Sequence, residues 1–177
     1  METDLNRIKQ LSEKKDDENW EFRAFLKKSD IALERMDRIV HRLYNQVCSQ
    51  IDCTRCANCC KQIRIILDQE DIENFSKGLG ISAVRFGNQY LIKNEESDEF
   101  ILKQKPCPFL KDNLCSHYNY RPKACRSFPH LHKNDFVFRL IGVIQNSSIC
   151  PIVFNVYEYL KAEVWQIDNL DNYEDFD

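Results

Sequence analysis

Four cysteines fall within eight positions, Cys53, Cys56, Cys59 and Cys60, and four more follow at Cys107, Cys115, Cys125 and Cys150. Thiolates are soft, charged ligands, and two residues between cysteines let both sulfurs converge on one metal while turn amides stabilise them. Cys59 and Cys60 are adjacent, so their side chains tend to point apart; they serve different sites, or only one of them ligates. Proline directly follows Cys107 and Cys150. It removes one backbone N–H and stiffens the loop after the sulfur. Eight cysteines make two sets of four: two tetrahedral sulfur sites, or one four-cysteine cluster with spare thiols. Four thiolates on zinc, or on an oxidised [4Fe–4S] cluster, leave a net charge of about −2. Burying that charge requires nearby cations and N–H donors. Arg121, Lys123 and Arg126 flank Cys125 and can supply them. Arg121 and Arg126 are therefore candidate cofactor-binding residues.

The ninth cysteine, Cys48, lies one helical turn after Tyr44 in an apolar stretch and is assigned to core packing. His117, His130 and His132 are given surface or turn roles, since the cysteines already suffice as ligands. Asp52 is read as a cap or polar neighbour. No residue is singled out as catalytic.

Composition narrows the classes further. The chain has 177 residues, 43% of them hydrophobic and 30% charged, which suits one domain with a real core and excludes wholesale disorder. No apolar run approaches the roughly 18 residues of a membrane span. The first residues, Met1-Glu2-Thr3-Asp4, lack a basic-then-apolar leader pattern, so the expected compartment is the reducing cytoplasm, where clustered cysteines bind metal more often than they pair. An odd cysteine count also fits a disulfide framework poorly. Residues 101–140 hold 8 Lys/Arg against 2 acids, and residues 162–177 hold 6 acids and no Lys or Arg. The basic block surrounds cysteines, which accounts for it without nucleic acid; a pI near 5.9 also argues against a nucleic-acid footprint. The expected partners are a metal ion or cluster and a protein, not nucleic acid or membrane.

The elements that must position these residues can be read from spacing. Residues 4–16 and 30–50 carry helical periodicity, the second behind Ser29 or Asp30 as N-cap. Trp20, Phe22, Phe25 and Leu26 are core candidates. Gln62 to Leu67 contains a strand; Asp68 or Asp71 opens a helix ending at Gly78-Leu79-Gly80; Ser82 caps another through Tyr90. Residues 94–99 are an acidic loop, Phe100 to Leu102 a strand, and Pro122 starts a helical turn. Phe136 to Ile144 reads as a strand. Cys150-Pro151 opens a last helix with Ile152, Val153, Val156, Tyr159, Leu160 and Val164 on its apolar face. The expected fold is a small, mostly helical α+β single domain organised around cysteine-bearing loops at a metal site. A helical extension (1–47), a cysteine-cluster domain (48–155) and a C-terminal helix with acidic tail (156–177) divide it.

Several motifs are absent: the Cys-x3-Cys-x2-Cys of radical enzymes, a phosphate-binding glycine loop and a His-Glu-x-x-His zinc motif. The ordered set that is present is specific. Cys53-x2-Cys56-x2-Cys59-Cys60, Cys107-Pro108-Phe109-Leu110, Cys115-x2-Tyr118-x2-Arg121-Pro122-x2-Cys125-Arg126-x2-Pro129 and Cys150-Pro151 resemble the YkgJ-type, or CxxCxxCC, cysteine-cluster family, described as a zinc- or iron-chelating domain. The resemblance covers about residues 48–155. It extends to the domain of flagellin lysine N-methylase, which implies an iron–sulfur cluster and a protein-modifying reaction. Three readings follow: an iron–sulfur protein, preferred because the first three cysteines open like a ferredoxin run; a structural four-cysteine zinc module; and a lysine N-methylase-like enzyme.

Overall fold

A computed structural model describes residues 1–94 and 99–165. Most of the acidic loop expected at 94–99, and nearly all of the acidic tail, lie outside the described residues. The described chain is mostly helical, with two small antiparallel sheets, which is the α+β class expected. It divides into two compact units. One combines Met1–Asp52 with the chain from Pro129 onward; the other is the continuous segment Cys53–Phe128.

The first unit is helical. Its elements are α1 (Leu5–Lys14), α2 (Asp16–Lys28), α3 (Leu33–Cys48), a 3₁₀ turn (Phe136–Arg139), α9 (Leu140–Ser147), α10 (Pro151–Leu160) and a π-helical turn (Lys161–Trp165). Asp4 caps α1 by accepting from the Arg7 N–H at 2.9 Å, and Pro151 occupies the first turn of α10. Ile8, Phe22, Met36, Val40, Leu140, Ile152, Tyr157 and Leu160 form the core. α10 is buried nearly all round, beyond the stripe its sequence suggests, with Phe154, Asn155 and Tyr157 also inside. Lys161 is buried with two carboxylate partners, Glu18 and Glu158, each at 2.8 Å.

Three local expectations are corrected. Phe136 to Ile144 is not a strand but a 3₁₀ turn running into α9. A short apolar stretch reads the same for a buried strand and a buried helix; here Leu140, Val143, Ile144 and Ser147 are buried at helical spacing. Neither Ser29 nor Asp30 caps α3: its N-cap is Ala32, and the Ser29 hydroxyl accepts instead from the Ile31 N–H. Trp20 is exposed, with Arg23 over its ring, whereas Phe22 and Leu26 are core.

The second unit carries α4 (Cys53–Cys56), α5 (Asn58–Gln62), β1 (Ile66–Leu67), α6 (Gln69–Leu79), α7 (Ala83–Tyr90), β2 (Leu91–Lys93), β3 (Phe100–Leu102), β4 (Leu110–Lys111), β5 (Leu114–Cys115), a 3₁₀ turn (Tyr118–Tyr120) and α8 (Lys123–Ser127). The strand expected over Gln62 to Leu67 is only its last two residues. Asp68 caps α6 by accepting from the Asp71 N–H at 2.7 Å, and Gly80 ends it with φ of 67°. Ser82 caps α7 through the Arg85 N–H. The sheet order is β1-β3-β2, with Ile66 and Ile92 both opposite Ile101. Its inner residues Leu67, Leu91 and Leu102 join Ile72, Phe75, Phe86 and Phe109 in one core.

In the first unit, Asp37 on α3 accepts backbone N–H bonds from Asp135 at 2.8 Å and Phe136 at 3.0 Å. A buried carboxylate thus tethers the turn before α9 across the sequence. Asp37→Ala leaves two donors without their acceptor and is expected to cost about 2 kcal/mol, read as a lower midpoint in urea unfolding.

Candidate metal centre

The Cys107 sulfur is positioned by its own turn. The N–H groups of Phe109 and Leu110 donate to the thiol, and the Leu110 N–H bonds the Cys107 carbonyl at 3.1 Å. Pro108 stiffens this knuckle. Phe109 anchors it: its ring lies 4.6 Å from Phe75, 4.9 Å from Tyr90 and 6.0 Å from His117, centroid to centroid. The β4–β5 hairpin follows, turning through Asp112 and Asn113 with φ of 49° and 62°. Positive φ at both loop residues marks the tight turn that matches strand twist, and Asp and Asn tolerate it well. The hairpin sets Cys115 opposite Leu110, and the His117 backbone donates to the Cys115 thiol. One knuckle and one hairpin therefore carry two sulfurs.

Cys60 is joined to this knuckle by the backbone. The Cys107 N–H donates to the Cys60 carbonyl at 2.8 Å. The chain reaches Cys60 through Ala57, whose φ of 50° breaks the path between α4 and α5. Cys125 sits on α8, which is docked from outside: the Lys123 N–H donates to Asp71 Oδ1 at 2.8 Å, and Lys123 Nζ reaches Asp68 at 3.0 Å and Glu70 at 2.6 Å.

These four thiols act on one another electrostatically. Burial, then the charges of Cys60, Cys107 and Cys115, push Cys125 up to about 12. Burial likewise lifts Cys107 to about 11, with Cys60 and Cys115 adding to it against the two backbone donors. Burial also raises Cys115. Cys60 alone moves down, to about 7, because Cys59 hydrogen-bonds its sulfur and Arg121 and Lys61 outweigh part of the burial. Three thiols that resist ionising, beside a fourth that ionises readily, make an arrangement that a bound cation would stabilise. The donor set fits a thiolate-bound metal: four sulfurs, backbone N–H donors to two of them, and a guanidinium. No three described Cys, His, Asp or Glu side chains stand at the spacing of ligands to one ion.

The remaining candidates are placed differently. Cys53 is exposed on α4, Cys56 is half-buried at its end, and Cys59 is half-buried against Cys60. Cys150 belongs to the helical unit, buried at the N-cap of α10 with its N–H on the Asn146 carbonyl at 2.8 Å. Cys48 is half-buried and its thiol is raised by burial. Arg121 is half-buried and its side chain lies on Tyr118, whereas Arg126 is exposed on α8. His117 packs on Phe75 and Phe109 and bonds Ser116 through Nδ1 at 3.0 Å. Sequence reasoning missed the positioning roles of Asp71 and Gly78, which have no signature without the fold.

Unit and site together define a cysteine-rich metal-binding domain. The chain belongs to the CxxCxxCC family, described as a putative zinc- or iron-chelating domain, whose model matches residues 52–150. No curated protein and no solved structure matches the chain significantly. No helix among the described residues is long and apolar enough to cross a membrane.

Phe109 is 7% exposed and holds the knuckle to the core. Phe109→Ala is expected to cost about 3–5 kcal/mol and to lower metal content in parallel, read by denaturant unfolding and metal analysis of the same preparations.

Proposed function

We propose that the chain is an iron–sulfur protein of a reducing cytoplasm, with Cys60, Cys107, Cys115 and Cys125 holding a [4Fe–4S] cluster. The observation that carries this reading is the backbone of one unit: the Cys107 N–H bonds the Cys60 carbonyl, the β4–β5 hairpin sets Cys115 opposite Leu110 beside the Cys107 knuckle, and Asp71 docks the helix of Cys125. The Cys53-x2-Cys56-x2-Cys59 opening, like that of a ferredoxin, favours iron–sulfur over zinc. Backbone donors at Cys107 and Cys115 and the Arg121 charge favour the ionised sulfurs. A bound cluster supplies one-electron exchange, so electron transfer or redox sensing is the role. Cys53, Cys56 and Cys59, in the same unit, and Cys150, in the helical unit, are further candidate ligands.

Anaerobic purification with iron, sulfide and zinc analysis tests the reading. The expected result is iron with acid-labile sulfide and broad absorption near roughly 400 nm that bleaches on reduction. Serine at Cys60, Cys107, Cys115 or Cys125 removes it, and serine at Cys48 does not. A colourless protein with stoichiometric zinc overturns the cluster reading.

A further inference from the structure

The three-stranded sheet has two faces of different character. Leu67, Leu91 and Leu102 turn into the core and are 1%, 5% and 3% exposed. Side chains alternate along a strand, so their neighbours turn outward. Ile66 is 44% exposed and Ile92 43%, and both stand opposite Ile101, which is half-buried. Three isoleucines thus form one row across β1, β3 and β2, and both ends of that row are open to solvent.

Charge is sorted on either side of this row. The same face returns two residues further along each strand. In one direction that brings Arg64 opposite Lys103, and the Leu102 N–H bond to the Ile65 carbonyl at 3.0 Å carries the pairing toward them. In the other direction it brings Asp68 opposite Glu99. All four residues are exposed. Lys103 Nζ also donates to the Asn88 carbonyl at 2.7 Å, and Asp68 pairs with Lys123 and caps α6. Like charges directly opposite one another in a sheet are unfavourable. This face carries one such pair of each sign.

A second copy answers both pairs. A half-turn about an axis along the isoleucine row lays Ile66, Ile101 and Ile92 on their own counterparts. The same half-turn reverses strand direction, so the basic row of each copy meets the acidic row of the other. Lys103 of each copy then faces Glu99 of the other, and Arg64 faces Asp68. We infer that the outer face of β1-β3-β2 is the docking surface for a second copy of this chain, in a closed two-fold dimer. The face is small beside the roughly 800 Å² per partner of a standard complex, so the dimer is a weak one.

Sedimentation velocity of the full chain, purified without oxygen, tests this over about 0.01 to 1 mM, with half-dimerisation expected on the order of 0.1 mM. Ile101→Lys puts two charges into the isoleucine row and leaves a monomer throughout. Lys103→Glu and Glu99→Lys each weaken the dimer about tenfold, because each reversal touches two symmetry-related pairs. The double variant exchanges the two charges and recovers the wild-type affinity. Val84→Lys, at a side chain 74% exposed on α7, changes nothing. If Ile101→Lys is unfolded by circular dichroism, Ile92→Lys takes its place. A wild type that stays monomeric to about 1 mM overturns the inference. So does a dimer that survives lysine in the isoleucine row, or a double variant no tighter than the single reversals.

Discussion

The sulfurs of Cys107, Cys115 and Cys125 are partly desolvated, and the backbone of the second unit answers that constraint. Each thiol of Cys107, Cys115 and Cys125 is held protonated by burial and by the charge its neighbours would carry. Such an arrangement resists ionisation until a cation enters, and metal binding then displaces protons. The protein lowers the barrier in two ways. Backbone N–H groups aim at Cys107 and Cys115, and Arg121 adds a positive charge that favours the ionised Cys115. Without these, four converging thiolates would repel one another in a medium that screens them poorly.

The scaffold meets this electrostatic demand with apolar packing. Phe109 belongs both to the Cys107 knuckle and to the aromatic cluster of Phe75, Phe86 and Tyr90. α6 serves twice. Its N-terminal end holds α8, and hence Cys125, through Asp68, Glu70 and Asp71. Its C-terminal end, at Gly78, seats the turn that leads into Arg121. A single helix thereby positions both Cys125 and the turn before Arg121. The helical unit has its own core and its own polar tethers, Asp37 and the Lys161 pairs.

Elements with local chemical markers were legible. Asp68, Ser82 and Pro151 announced helix starts because capping is a contact between near neighbours in sequence. Gly80 announced a helix end because αL geometry favours glycine. Phe136 to Ile144 misled because apolarity reports burial and not backbone conformation. Ser29 misled because a hydroxyl able to cap has other local N–H groups to choose from. α2 was not anticipated as a helix, although its aromatic residues were seen as core.

The sequence by itself determined the ligand chemistry. Sulfur identity, proline after Cys107, and arginine before Cys125 are covalent facts, and they sufficed for the family and for a thiolate metal site. Only the tertiary structure decided the grouping. Adjacency already set Cys59 and Cys60 apart as ligands, and the fold ties Cys60 through its carbonyl to Cys107, 47 positions away. It likewise separated Arg121 from Lys123 and Arg126, which are equivalent on paper. The physical reason is that ligation and charge compensation depend on distance and dielectric in space, and those are set by long-range packing through Phe109, Asp71 and Gly78.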